Sequence, residues 1–304
     1  MERAATKAEQ HTLRGVLWML GAVLSFAAMA VAVRELQRHM DSFQILFARS
    51  VVMLGIVGTI ALAARGTVMR TRRIGLHVFR NTLHLTGQYL WVYSIGALTL
   101  ATVFAIEFTI AVWVAVLAAT FLHERLTQAR VVQLVLGVVG VLIILRPGTL
   151  SFHPAALVML LGSFCYGGSP ASTKALSSTE APRTVLLWMS LVQTPVTLLA
   201  ALPSWVTPPA STFPWILLIG LTSYTAHYCM TSAMRLADAT VVAPIDFIRL
   251  PLIAVVGALV YAEPFDPMVI VGAAVIFTGT YYSLSRERRY RTSSGSSASS
   301  AVGS

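Results

Sequence analysis

Residues 101–108 read ATVFAIEF and residues 239–247 read ATVVAPIDF, the second longer by one proline, Pro244. Each runs on into an apolar stretch that ends on a glutamate, FLHE at 121–124 and VYAE at 260–263, so Glu107 falls on Asp246 and Glu124 on Glu263. The register spreads outward: Ser94 falls on Ser232, Gly140 on Gly279, and LGAV from Leu20 on LGSF from Leu161. Self-similarity on this scale marks two copies of one architectural unit.

Both runs are apolar enough to lie in lipid, and so is most of the chain. Apolar residues make up 56% of the 304 residues and charged ones 11%, with a mean hydropathy of +0.75, which excludes an ordinary soluble domain. A membrane-spanning helix takes roughly 20 apolar residues. Ten such segments are expected, near 15–33, 43–63, 74–95, 99–121, 131–146, 154–173, 184–202, 214–235, 240–261 and 267–285. The fold class is therefore all-α integral membrane, ten transmembrane helices in two halves, 15–146 and 154–285. Residues 1–14 form a cytoplasmic N-terminus, and the Ser-rich 286–304 a disordered cytoplasmic tail.

Five spans per half is an odd number, so the halves enter the membrane from opposite sides. That makes an inverted repeat, the construction of secondary transporters, in which the two halves can exchange conformations. Sixteen of the 22 Lys and Arg residues fall on the side that holds both termini, against Arg34, Arg38 and Arg146 on the other and Arg49, Arg80 and Arg249 within spans. The excess puts both termini in the cytoplasm. A cleaved signal peptide is the alternative at the N-terminus; the repeat requires the first span, so it is expected to stay. Cys165 and Cys229 fall within spans and read as packing thiols.

The ten-span layout, the glutamates of HER (123–125) and AEP (262–264), and GVVGVLII (137–144) running into RPG (146–148) resemble the drug/metabolite transporter superfamily, EamA type, over residues 14–285. Two departures stand out: the fourth span lacks the proline often found there, and His123 and Ala262 stand where a glycine usually precedes the terminal Glu. The resemblance implies a carrier of small metabolites such as amino acids, S-adenosylmethionine, drugs or amino-acid-derived, opine-type metallophores, and an inner (cytoplasmic) membrane location.

Ionisable side chains inside spans face the bundle interior, pair, or serve transport. Glu107 and Asp246 each lie about 10–12 Å deep at 1.5 Å per residue, near the midplane where repeat-built carriers hold substrates and coupling ions. The carboxylate of Glu107 is the candidate for proton coupling, and an Arg beside it can hold a substrate carboxylate. Structurally, Glu107 has Arg49 or Arg80 as expected partners, and Asp246 has Arg249, three residues on along the same helix. Pro244 and Pro251 flank IDFIRL, which predicts a kink in the ninth helix.

Two polar rows complete the candidate path. Arg80, His84 and Gln88 recur every four residues on the third span, with Asn81 and Trp91 adjacent, and Ser223, His227 and Thr231 do so on the eighth, with Tyr224 and Tyr228 beside them. Tyr166, Ser169, Trp18 and Trp113 are further lining candidates. Glu124 and Glu263 read as caps of the fifth and tenth spans. The small residues Gly137, Gly140, Gly272 and Gly279 allow close approach of those two helices, within one chain or between two.

The expected function is a secondary transporter that moves a small polar or zwitterionic metabolite outward by alternating access. No P-loop or other nucleotide-binding motif is present, so gradients drive it, with passive facilitation the alternative; no cofactor and no metal is expected. The expected partners are the small-molecule substrate, protons and membrane lipids; RERRYR at 286–291 reads as orientation charge, not a nucleic-acid site. The alternative class is an integral-membrane enzyme acting on a lipid-linked substrate through His123 and Glu124.

Overall fold

In lipid every backbone amide must find its partner within the chain, which leaves the helix as the economical answer for apolar runs of this length. In a computed structural model residues 2–63, 71–121, 127–147, 152–177, 179–237 and 239–301 are described. They form thirteen α-helices, with no strand among the described residues. In chain order these are α1 (Glu2–Leu36), α2 (Ser42–Ala63), α3 (Ile74–Ala97), α4 (Leu100–Glu107), α5 (Ile110–Phe121), α6 (Gln128–Leu145), α7 (Ala155–Gly167), α8 (Ser169–Ser177), α9 (Pro182–Ala201), α10 (Phe213–Leu236), α11 (Ala239–Phe247), α12 (Arg249–Tyr261) and α13 (Pro267–Ala301). Threonines start two of them: the side chain of Thr99 accepts the N–H of Thr102 ahead of α4, and Thr127 that of Arg130 ahead of α6, each satisfying an otherwise orphaned donor.

Seven stretches are long and apolar enough to cross a membrane: His11–Leu36, Ser42–Ala63, Leu100–Leu117, Gln128–Leu145, Pro182–Ser204, Thr240–Tyr261 and Pro267–Arg288. That is fewer than the ten expected, for a physical reason. Helices α3 and α10 have 24 residues each, ample length, but they carry the two polar rows and so fall short in apolarity. The remaining segment is divided at Gly168, leaving α7 with 13 residues. At the other end of the chain α13 runs on to Ala301, so residues 286–301, read from composition as disordered, are helical. A helix needs only its own backbone bonds to continue, and serine weakens it by a few tenths of a kcal/mol per residue (order of magnitude).

The helices pack as long neighbouring pairs. Helix α1 lies along α10, α3 along α7, α2 along α9, and α6 along α13. The last pair is a backbone contact within one chain: a Cβ on Gly140 would lie 2.6 Å from the carbonyl oxygen of Gly272, and one on Gly272 would lie 2.6 Å from that of Gly140. The small-residue stripe is thus used intramolecularly. The main apolar core gathers residues of α1, α3, α4 and α10 to α13, including Met19, Phe104, Ile106 and Ile253.

Polar ties close both ends of this bundle. At the end where α3 finishes, Arg34 donates to the Leu98 carbonyl and pairs with Glu263, each at 2.7 Å, while Glu263 accepts the backbone N–H of Leu100 at 2.8 Å. Glu263 therefore caps the start of α4, not the tenth span. At the end where α3 begins, His77 meets Glu180 at 2.7 Å and Arg73 donates to the Ala175 carbonyl at 2.8 Å. Glu124, the other expected cap, lies outside the described residues, as does His123.

Candidate functional site

Both copies of the duplicated motif end in a broken helix, each just past its acid. The fourth span stops as α4 at Glu107 and resumes as α5 at Ile110; the ninth stops as α11 at Phe247 and resumes as α12 at Arg249. In the ninth, Pro251 lacks the N–H that would bond the Phe247 carbonyl, so the expected kink is there. The fourth has no proline. There Thr109 turns back on Ile106, with its N–H and its hydroxyl donating to that carbonyl at 3.0 and 2.7 Å, and the Ser163 hydroxyl adds a third bond at 3.1 Å. The freed carbonyl is thereby satisfied, as the membrane interior demands. The rings of Phe108 and Phe247, equivalent residues of the two copies, meet at the two breaks with centroids 4.6 Å apart.

Arg249 occupies the gap between the acids. Its guanidinium lies 3.2 Å from the Glu107 carboxylate and 3.5 Å from that of Asp246, and it is 3% exposed. Phe26, Phe104 and Phe108 surround it with ring centroids 4.8–5.4 Å away, a cation–π enclosure that helps compensate its lost hydration. Trp91 donates its indole N–H to Glu107 at 2.8 Å. The partner of Glu107 is therefore Arg249 of the other half, not Arg49 or Arg80.

Those two arginines belong to a second, adjoining network. Arg49 donates to the Ser223 hydroxyl at 2.6 Å and to Gln193 at 3.5 Å; Gln193 reaches Asn81 at 3.5 Å and His84 at 3.4 Å; Arg80 donates to Asn81 at 3.2 Å and to Thr173 at 2.7 Å. The His84 ring stands 5.4 Å from the rings of both His227 and Tyr166. Tyr166 joins the networks, within electrostatic range of Arg49 on one side and of Arg249 and Glu107 on the other.

Nine of the ten sequence candidates gather on this interior. Gln88 is buried on the same face of α3 as His84. Tyr228 stands apart: it packs edge-on against Trp18 and stacks on Tyr224, at 5.7 Å in each case, about 100° around α10 from His227. Trp113 lies edge-on to Phe164, and Ser169 is buried, its carbonyl accepting from Thr173. Gln193, Thr173 and the three phenylalanines around Arg249 were not among the candidates; a lone amide amid the apolar residues of α9 was the available signal for Gln193.

The centre is incompletely hydrogen-bonded. Arg49 Nη2, Gln88 Oε1 and Arg249 Nη1 are buried with no hydrogen-bond partner among the described residues, and Arg249 Nε and Asp246 Oδ1 have only each other, in the ion pair at 3.5 Å. Each such group is destabilising by about 1–3 kcal/mol, more when charged, so folded chains keep them where a ligand or water completes the bonding. Apolar helices around a buried, charged centre of this kind fit a membrane transport protein.

The chain belongs to the EamA-like transporter family, whose model matches residues 13–146 and again residues 153–285. It is 30% identical to a riboflavin transporter of Vibrio cholerae, over 93% of this chain and 98% of that one. It is 25% identical to an S-adenosylmethionine uptake transporter of Rickettsia prowazekii, over 92% and 96%, and 25% identical to the pseudopaline exporter CntI of Pseudomonas aeruginosa, over 86% and 93%. A crystal structure of another protein matches with a TM-score of 0.63 over 90% of this chain and 97% of that one, at 18% identity, a likeness of fold alone. The chain is thus a multi-pass membrane protein of a family of small-metabolite transporters.

Proposed function

We propose that this chain is a secondary transporter of a small polar or zwitterionic metabolite, working by alternating access between two inverted five-helix repeats, 15–146 and 154–285. Ten spans cross the inner membrane and both termini face the cytoplasm. The observation that carries the reading is the Glu107 carboxylate, held by Trp91 of its own half and Arg249 of the other where both duplicated helices break. A carrier places its exchangeable proton and its substrate at such a junction, because both halves touch it in every conformation.

The packing supports the inverted arrangement. Exchanging each helix for its counterpart in the other half turns the α1/α10 pair into α7/α3 and the α2/α10 pair into α9/α3, and returns α2/α9 and α6/α13 to themselves. The two matches to the family model fall on the same division. Substrate breadth follows the relatives, which carry riboflavin, S-adenosylmethionine or a metallophore, and the direction is that of the net gradient, since uptake and export both occur among them.

The test is flux in reconstituted vesicles carrying an imposed pH gradient, with labelled riboflavin and S-adenosylmethionine as first probes. Wild type is expected to use the pH gradient to concentrate substrate against its own concentration gradient, and Glu107→Gln to retain only downhill exchange. Unimpaired pH-driven accumulation by the variant would remove Glu107 from the mechanism. Tags at the two termini should react from the same side of the membrane.

A further inference from the structure

Three arginines are buried in the centre, and their surroundings differ in one respect. Arg249 has two carboxylates beside it. Arg49 and Arg80, 3% and 5% exposed, have no carboxylate within 4 Å among the described residues. Every hydrogen-bonding partner of theirs is neutral: Ser223 and Gln193 for Arg49, Thr173 and Asn81 for Arg80. The nearby rings, His84, His227 and Tyr166, offer no negative charge at neutral pH, and protonating either imidazole adds to the positive potential. Among the described residues, two guanidinium groups therefore share one desolvated network with no counter-charge, and Nη2 of Arg49 has no hydrogen-bond partner.

A buried cation without an anion is destabilising unless something supplies the missing charge. Guanidinium is the group best matched to an oxyanion, with planar paired donors that grip carboxylate or phosphate. We infer that Arg49 and Arg80, joined through Gln193 and Asn81, form an anion subsite that receives the carboxylate or phosphate of the transported molecule. The adjoining trio of Glu107, Asp246 and Arg249, net negative while both acids are ionised, receives its cationic or hydrogen-bond-donating end, with Tyr166 between. The substrate is thus held in one polarity, its anion toward α2, α3 and α9 and its donor end toward α4 and α11. This rests on the carrier reading above, and binding is measured apart from flux so that the two fail separately.

The experiment uses two chemical pairs, each differing in one anionic group: riboflavin against riboflavin 5′-phosphate, and decarboxylated S-adenosylmethionine against S-adenosylmethionine. Binding to the purified full chain in detergent is read by titration calorimetry. Wild type is expected to prefer the anionic member of at least one pair by about tenfold or more; the pair that shows it tells phosphate from carboxylate. Arg49→Gln and Arg80→Gln should each cut the preference to under about threefold, while Arg49→Lys and Arg80→Lys, which keep the charge and lose the fork, retain part of it. Because each Gln variant deletes an uncompensated charge, its thermal midpoint should equal or exceed that of wild type.

A wild type with no preference for the anionic member of either pair overturns the assignment, as do Gln variants that keep the wild-type preference. Lys variants that lose stability with the preference intact also overturn it, since a structural role alone behaves that way. Wild-type vesicles that bind an anionic probe but never exchange it defeat the carrier reading and leave the subsite standing. Brisk exchange of a neutral probe beside no binding of the anionic ones does the reverse.

Discussion

Replacing Arg249 by Gln tests how the centre is held together. The side chain lies 3.2 Å from Glu107 and 3.5 Å from Asp246 and is enclosed by three phenylalanine rings at 4.8–5.4 Å. Removing one partner of a buried ion pair typically destabilises by about 3–5 kcal/mol, because the remaining charge stays uncompensated. Here two carboxylates are left facing one another, and the rings lose a cation worth about 0.5–2 kcal/mol to them. A glutamine keeps some packing and one hydrogen bond to Glu107, so the net loss should be about 4 kcal/mol, roughly a thousandfold in the folding equilibrium. The assay is equilibrium unfolding in mixed micelles, followed by circular dichroism, on wild type, Arg249→Gln, Glu107→Gln and the double variant. With Arg249 gone, neutralising Glu107 should restore about 2 kcal/mol, a coupling typical of groups in direct contact. A loss below about 1 kcal/mol, the level of an exposed pair, or strictly additive effects in the double variant, would refute the reasoning.

Gly140→Ala should lower stability by about 1–3 kcal/mol through overpacking, since its Cβ would lie 2.5 Å from Ile276 Cγ1 and 2.6 Å from the Gly272 carbonyl oxygen; Gly58→Ala, with nothing within 4 Å, is the control, and both are read from thermal midpoints. Glu263→Gln should destabilise by about 1.5–3 kcal/mol, the range for a charge-assisted hydrogen bond, as Arg34 loses its pair, and adding Arg34→Gln should cost less than Arg34→Gln does alone, since only its bond to the Leu98 carbonyl and its contact with the Tyr261 ring are then left to lose; equilibrium unfolding of the two single variants and the double one decides.

The membrane class and the acid pair were legible because both rest on local signals, apolar length and a duplicated ATV motif. The interruption of the ninth helix was legible through Pro244 and Pro251. That of the fourth was not, because it is made by Thr109 turning back on the Ile106 carbonyl and by Ser163 arriving from α7, and either residue alone is unremarkable in a helix. Partner choice was equally hidden: Arg249 is three residues from Asp246 in sequence, but its pairing with Glu107 needs two distant helices brought together. Glu263 misled for the same reason, since the free N–H that it caps belongs to Leu100 and not to the helix that follows it in sequence. The polar rows of α3 and α10 are also what keeps those helices from passing as apolar spans.

The rings of Phe108 and Phe247, in contact and tilted by 34°, carry a mechanical consequence. Aromatic faces keep much of their dispersion contact over many offsets and tilts, so turning one against the other disturbs less than breaking a directional bond does. If the two halves exchange conformations as proposed, the crossing would act as a lubricated bearing, the arms of the two severed helices swinging about it while the hub stays assembled. Ring bulk at this crossing would then set the travel of the swing, and trimming Phe247, whose ring meets only Phe108 and Phe277 among the described aromatic contacts, would loosen the joint without removing a ring from Arg249.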